Sequence, residues 1–374
     1  MAPGDIASVN DHHKAQELDE LARASANKQP LDWDPNYKYR WALPWFDERY
    51  KSDDLKDPPY EPFEHSDVGL RALKHPDPRA FLKNASNIDE LSPRFGSVVK
   101  GLDLAKLTLD EKDELALFVA ERGVVILQDQ QGFIDQTPEQ LKDFGRHYSA
   151  RLHQHQVSGQ PREHSEFHLI YKSAKVELNN YEKRLNYIPT VWHSDVSYEA
   201  QPPGLTVLFL FDTPPSGGDT LFADSEELLR RLSPPLRALL ETLTAEHSGY
   251  EQSENAKKGG QGVAKRLPVS HSHPIVRTHP VTGRQSLYVN KGFTTKINGL
   301  KKEESDALLD VLFRLNADAV DAQVRVRWQK GSVALFDNRR TLHTPIVDFT
   351  GETGRRHGAR ITPAAEKPFF KSSA

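Results

Sequence analysis

Beyond Trp192 the chain is cut by Gly and Pro into short apolar and β-branched runs: "GLTVLFLFDTPPSGGDTLFAD", "VSHSHPIVRTHPVTGRQSLYVN", "VRVRWQKGSVALFDNRRTLHTP" and "RHGARITP". Strands this short have no stability alone and must pair and stack around a shared interior. Many of them with turn residues between predict a sandwich or barrel of the jelly-roll kind. Two helical stretches interrupt the pattern. "DSEELLRRLSPPLRALLETL" reads as a helix pair broken at its double Pro, and "LKKEESDALLDVLFRLNAD" as an amphipathic helix covering one sheet. The expected class is mixed α/β and β-rich.

Upstream, "TLDEKDELALFVAERG" has helical spacing with a Thr start and a Gly stop, "VVILQDQ" reads as a buried strand, and "TPEQLKDFGRHY" as a second capped helix. Residues 1–91 differ in character. They are rich in charge and Pro, with aromatics at no regular period, as in "LDWDPNYKYRWALPWFDERYKSDDLKDPPYEPFEH". Such a segment is not expected to fold alone, although its Trp and Tyr residues could lie across another surface. We expect disorder over the first twenty or so residues, an extension to residue 91 and one folded domain over 92–374.

The chain has no cysteine, which removes thiolate zinc sites, iron–sulfur clusters and disulfides; a metal must sit on His, Asp or Glu. With 49 Lys and Arg against 53 Asp and Glu, the net charge of -4 offers no footprint for nucleic acid or an anionic membrane. No secretory signal or bilayer-length apolar run is present, so a soluble cytoplasmic protein is expected, with a homo-oligomer allowed.

In "VWHSDVSYE", His193 and Asp195 stand two apart, and strand geometry would aim both at one point. A His-x-Asp is more often a solvated surface pair, so a third ligand is needed. The pairs His153/His155 and His271/His273 compete for the role; the second sits in an apolar run where core roles are as natural. The stronger partner is His343, after a buried strand ending in "DNRR". Two imidazoles and one carboxylate leave three positions open on an octahedral iron, although the same residues could hold zinc and a water in a hydrolase. A receptor for a keto acid separates the two. "GRRHGARIT" supplies one candidate: Arg356 and Arg360 are four apart on a strand-like run and face the same side, and a guanidinium fork binds carboxylates bidentately.

Taken together, "WHSDVSYEAQPP", "GGDTLFAD", "HPIVRTHPVTGRQSLYVNKGFTTKI", "FDNRRTLH" and "RRHGARITP" closely resemble the taurine dioxygenase family of iron(II)- and 2-oxoglutarate-dependent oxygenases, nearest its fungal sulfonate dioxygenases. The resemblance runs from about Arg94 to Phe369. It implies a double-stranded β-helix (jelly-roll, cupin-like) core flanked by helices. It makes His193, Asp195 and His343 the Fe(II) ligands, and Thr220 and Arg356 the residues that hold the distal carboxylate of 2-oxoglutarate. Arg360 matches the arginine that binds the sulfonate, His155 falls at a substrate-binding histidine, and Val196 and Phe293 match pocket walls.

With O2 as the other co-substrate, the implied reaction hydroxylates a carbon of a small anionic substrate, and succinate and CO2 are co-products. For a sulfonate, sulfite and an aldehyde follow. Two departures bear on the substrate: Pro189 stands where the taurine-preferring relative has Asn, and a Tyr is lost near Ser158. Both losses remove partners for an amine end and argue against a pocket built only for taurine. Sulfate esters, amino acids and natural-product intermediates are the alternatives within the family, and a zinc hydrolase or a silent jelly-roll binding module outside it.

Overall fold

The computed structural model describes residues 16, 19–21, 23–24, 27–157, 159–176, 178, 191–258 and 264–372. The segment expected to be disordered, Ser158 and Pro189 fall largely or wholly outside them. In chain order the strands are β1 (Asn87–Glu90), β2 (Ser97–Lys100), β3 (Val124–Leu127), β4 (His168–Lys172), β5 (Leu205–Asp212), β6 (Thr220–Asp224), β7 (Thr244–Ser248) and β8 (Ser270–Pro274). There follow β9 (Val276–Thr278), β10 (Gln285–Leu287), β11 (Thr294–Ile297), β12 (Gln323–Val326), β13 (Val333–Asp337), β14 (Thr341–Pro345) and β15 (Arg356–Ile361).

Seven strands form a mixed sheet in the order β1-β2-β3-β13-β5-β15-β4, in which only β2 and β3 run parallel. A three-stranded sheet, β12-β6-β14, packs on it. Alternation assigns the faces. Leu208 and Leu210 of β5, Ala334 and Phe336 of β13, and Val124 and Ile126 of β3 meet Phe222 of β6 and Val324 and Val326 of β12 in the jelly-roll interior. The intervening residues, such as Val207, Phe209, Val333, Leu335, Val125 and Leu127, face the other way into a second core. Both faces are covered, so these strands read as unbroken apolar runs rather than as alternating ones.

The helices follow their capping signals. Leu109–Arg122 starts with a reciprocal Thr108–Glu111 capping box and stops at Gly123, whose φ of 76° suits glycine, before entering β3 directly. Pro138–Arg146 has the same device at Thr137 and Gln140. The double-Pro helix divides into Ser225–Arg231 and Pro234–Glu241, and with Lys302–Asp318 these helices bury Leu228, Leu229, Leu240, Leu309 and Leu312 in a third core. One expected run splits: "VSHSHPIVRTH" breaks at Ile275, with β8 pairing β7 and β9 pairing β10.

Residues from the Pro-rich segment join the core behind the large sheet. Tyr39, Ala42, Leu43, Val68 and Phe81 are buried with Val207 and Phe209, and the Tyr39 ring lies 4.6 Å from that of Phe211. Tyr37 Oη bonds His357 Nδ1 at 2.8 Å, and His357 Nε2 reaches Ala42 O at 2.8 Å. Sequence-scattered aromatics thus pack against a surface formed by other strands.

The sheet has no room for a side chain at one point. A Cβ on Gly358 of β15 would sit 2.3 Å from Leu210 Cδ2 and 2.7 Å from Phe209 O. Gly358→Ala is therefore expected to lower unfolding free energy by about 1–3 kcal/mol, the usual range for overpacking. Denaturant unfolding checks this, and an unchanged midpoint with an unchanged slope would contradict it.

Candidate active site

His343 belongs to β14, and His193 pairs with it as an isolated bridge: His193 N donates to His343 O at 3.0 Å and His343 N to His193 O at 2.9 Å. The bridge sets the two imidazoles 4.2 Å apart, centroid to centroid. Asp195 is reached differently from expectation. It lies in a turn, not on a strand, and the next residue, Val196, has φ of 39°. A β-branched residue is strained in that left-handed region, so surrounding contacts must impose the turn. Those contacts come from Asn338: its Oδ1 accepts from Asp195 N at 3.1 Å and its backbone O from Ser194 Oγ at 2.8 Å.

Asp195 Oδ1 stands 3.7 Å from His193 Nε2 and 3.5 Å from His343 Nε2. One ligand atom from each of the three residues falls within 4.8 Å of the others, the one such group among the described residues. The chemistry of the donors suits a divalent metal. His193 Nδ1 reaches Val191 O at 2.8 Å, which puts the proton there and leaves Nε2 its lone pair. Burial pushes both imidazoles below their ordinary range, so they are neutral. Burial works against ionisation of Asp195, but the Arg360 guanidinium above all, with the Thr206 hydroxyl, outweighs it and holds the carboxyl below its ordinary range. Asp195 Oδ2 accepts from Thr206 Oγ1 at 2.9 Å, while Oδ1 is buried without a hydrogen bond. Arg360 Nη1 is 2.6 Å from that Oδ1, a charge contact whose angle falls outside hydrogen-bond geometry.

The chain matches the model of the taurine catabolism dioxygenase TauD, TfdA family over residues 87–362. It belongs to that family. An α-ketoglutarate-dependent sulfonate dioxygenase of Saccharomyces cerevisiae is 38% identical over 360 residues, 96% of this chain and 85% of that one. An α-ketoglutarate-dependent dioxygenase of Penicillium expansum is 38% identical over 331 residues, 87% and 86% of the two chains. Among solved structures, a taurine dioxygenase from Burkholderia xenovorans superposes with a TM-score of 0.61 at 29% identity, covering 76% of this chain and 91% of that one.

Membership in the TauD/TfdA family makes the protein a 2-oxoglutarate-dependent dioxygenase with a jelly-roll core, and sets the zinc hydrolase and the silent binding module aside. The remaining residues singled out in the sequence gather at two places. His155 is buried beside Arg360, with Nε2 at 3.3 Å from Arg360 Nη2 and Nδ1 bonded to Val157 O at 2.7 Å. Its ring lies 4.0 Å from that of His168. Val196 and Phe293 form one apolar cluster with Tyr198, and the Phe293 ring stands edge-on to His193 at 6.0 Å. Arg356 Nε donates to Gly218 O at 3.2 Å, two residues before Thr220. Gly217 and Gly218 have φ of 77° and 72°, and a Cβ on Gly218 would lie 3.1 Å from Arg356 Cδ, so the glycines let the arginine close on this loop. His271 and His273, the competing pair, are bonded to Tyr198 O and Glu199 O at 2.8 and 2.9 Å and serve the backbone instead.

Sequence reasoning missed Thr206 and Asn338. Asn338 Nδ2 donates to Thr206 Oγ1 at 2.8 Å, and the Thr206 proton goes on to Asp195 Oδ2. Thr206 was visible as the one hydroxyl inside "LTVLFLF", whereas nothing local marks Asn338 as the support of a carboxylate 143 residues away. Asn338→Ala is expected to weaken Mn(II) binding by about 10- to 100-fold, as losses behind a metal ligand commonly do. Titration calorimetry under anaerobic conditions checks this, and a wild-type constant would contradict it.

Proposed function

We propose that His193, Asp195 and His343 hold Fe(II), and that the enzyme hydroxylates a carbon of a small anionic substrate, foremost a sulfonate. The observation that carries the substrate class is the Arg360 guanidinium, 2.6 Å from the carboxylate of Asp195 and in contact with His155. An anion held by this pair lies directly beside the metal position. The sulfonate named for the yeast relative fits that cation. We assign the distal carboxylate of 2-oxoglutarate to Arg356 and Thr220.

Iron bound here with 2-oxoglutarate and dioxygen would supply the oxidant for inserting one oxygen atom into a C–H bond of the substrate, with succinate and CO2 as co-products. If that carbon bears a sulfonate, the product collapses to an aldehyde and sulfite. The chain's own residues do the positioning. Thr206 and Asn338 hold the Asp195 carboxylate, Val191 O holds the His193 ring in the ligating tautomer, and Arg360 with His155 orients the substrate anion. Val196 and Phe293 wall the reacting carbon from water. Such alignment matters because about 1 Å of misplacement can cost on the order of 100-fold in rate. As part of the same proposal, residues 92–374 are the catalytic unit, residues 1–91 an extension, and the setting cytoplasmic. Among the described residues no helix is long and apolar enough to cross a membrane.

The decisive experiment screens sulfonates, sulfate esters and amino acids for substrate-stimulated succinate release that needs added iron(II), with sulfite assayed in parallel. Sulfite from at least one sulfonate is expected; succinate without sulfite from every sulfonate would move the substrate to another class. Arg360→Ala is expected to raise KM for the sulfonate about 10- to 100-fold, the scale of a lost charged hydrogen bond, and to leave KM for 2-oxoglutarate within about twofold. Equal damage to both constants would refute the assignment. Arg356→Ala should show the opposite split in the same assay.

A further inference from the structure

Thr220 begins β6, and its hydroxyl is approached by a side chain that has no part in the roles assigned above. Trp328, just beyond β12, donates its indole N–H to Thr220 Oγ1 at 3.0 Å. Both residues are buried. The ring packs in the jelly-roll interior with Phe222, Val326 and Phe336, and β12 is paired with β6 so that Val326 stands opposite Thr220. The direction of the N–H is therefore set by core packing.

The chemistry of the pair is one-sided. An indole nitrogen can only donate, whereas a hydroxyl has one proton and two lone pairs. Trp328 takes up a lone pair of Thr220, so the hydroxyl proton remains to be given away. Among the described residues no acceptor takes it. The nearby Arg356, which reaches Gly218 O in the same loop, is also a donor-only group. An oxygen-rich anion entering beside Thr220 would meet a hydroxyl whose proton is still free to be donated.

We propose that Trp328 is a positioning residue for 2-oxoglutarate: it makes Thr220 an obligate donor to the distal carboxylate. The inference rests on the role assigned to Thr220 above. It adds that the strength of the threonine contact is set from the core, by a residue that never touches the co-substrate.

The test measures binding, not turnover, in the full-length Mn(II)-loaded protein without oxygen. Trp328→Phe should weaken 2-oxoglutarate by roughly 5- to 10-fold, the scale of one neutral hydrogen bond, and leave Mn(II) affinity unchanged. It should not alter binding of 2-oxobutyrate, a keto acid without the distal carboxylate. Thr220→Val should cost at least as much, and the double variant no more than Thr220→Val alone, because the indole acts only through the hydroxyl. Equal losses for both keto acids, additive losses, or unaltered 2-oxoglutarate binding in Trp328→Phe would each overturn the proposal. If Thr220→Val itself binds 2-oxoglutarate normally, the threonine assignment falls and the tryptophan with it. Should Trp328→Phe misfold, benzothienylalanine at position 328 removes the N–H while keeping the ring shape, and the same outcomes apply.

Discussion

The geometry of the site depends on one amide. Asn338 uses every polar group it has: backbone N to Gly204 O at 2.7 Å, backbone O from Ser194 Oγ, Oδ1 from Asp195 N, and Nδ2 to Thr206 Oγ1. It thereby ties the ligand turn, β5 and the β13–β14 connection together at one point. A buried carboxylate would move or take up a proton without such support, since an unsatisfied buried polar group costs on the order of 1–3 kcal/mol. Asn338 also accounts for the left-handed Val196. With Ser194 and Asp195 pinned on one side, and Ser197 Oγ bonded to His247 Nδ1 at 2.8 Å and to Asn290 Nδ2 at 2.9 Å on the other, the backbone between has no relaxed path.

Asn338 is held in turn by its neighbours in "DNRR". Asp337 accepts from Arg339 and from His279 Nε2 at 2.9 Å; Arg339 reaches Asp67, and Arg340 reaches Asp224 Oδ1 at 2.9 Å. All four residues of the motif are buried. Charges so placed persist only when paired. Burial opposes ionisation of Asp337, yet the Arg339 guanidinium and His279 hold its carboxyl well below the usual range. Asp67 comes from the Pro-rich segment, so that segment contributes a charge to the network that carries Asn338. This links residues 1–91 physically to the His193–Asp195–His343 cluster, across 272 residues of sequence.

What could be read beforehand follows from range. Capping boxes, the glycine stop and the double-Pro break act within a few residues, and the helices appear where those signals stand. Arg356 and Arg360 could be placed on one face because strand alternation is local, and β15 obeys it: the intervening His357 turns to Tyr37 and Ala42 on the opposite side. Asp195 shows the limit. Asp195 does meet His193 and His343 at one point, but strand alternation is not the cause, because the turn is imposed by an asparagine far along the chain. Thr206 and Trp328 escaped for the same reason: their roles exist only once β5 meets the ligand turn and β12 meets β6. The two departures at Pro189 and Ser158 lie outside the described residues, so the amine-end reasoning built on them has no structural counterpart.

Charge balance bears on the substrate class once the metal and 2-oxoglutarate are placed as proposed. Low-polarity interiors penalise uncompensated charge, so a loaded site should approach neutrality. Both imidazoles contribute none, because burial keeps them neutral. In the proposed complex the distal carboxylate of 2-oxoglutarate is matched by Arg356. That leaves a divalent metal against Asp195 and the second carboxylate of 2-oxoglutarate, which cancel. Arg360 then stands as the uncompensated charge, 2.6 Å from Asp195. A monoanion closes the balance and a dianion overshoots, whereas a zwitterion, amino acid or aminosulfonate alike, carries its own cation into the site and leaves Arg360 unmatched. Under the proposed assignment, the arginine beside the Asp195 carboxylate would select for a single negative charge at the reacting end, and a sulfonate group, fully ionised at any physiological pH, would meet that demand without a proton to lose.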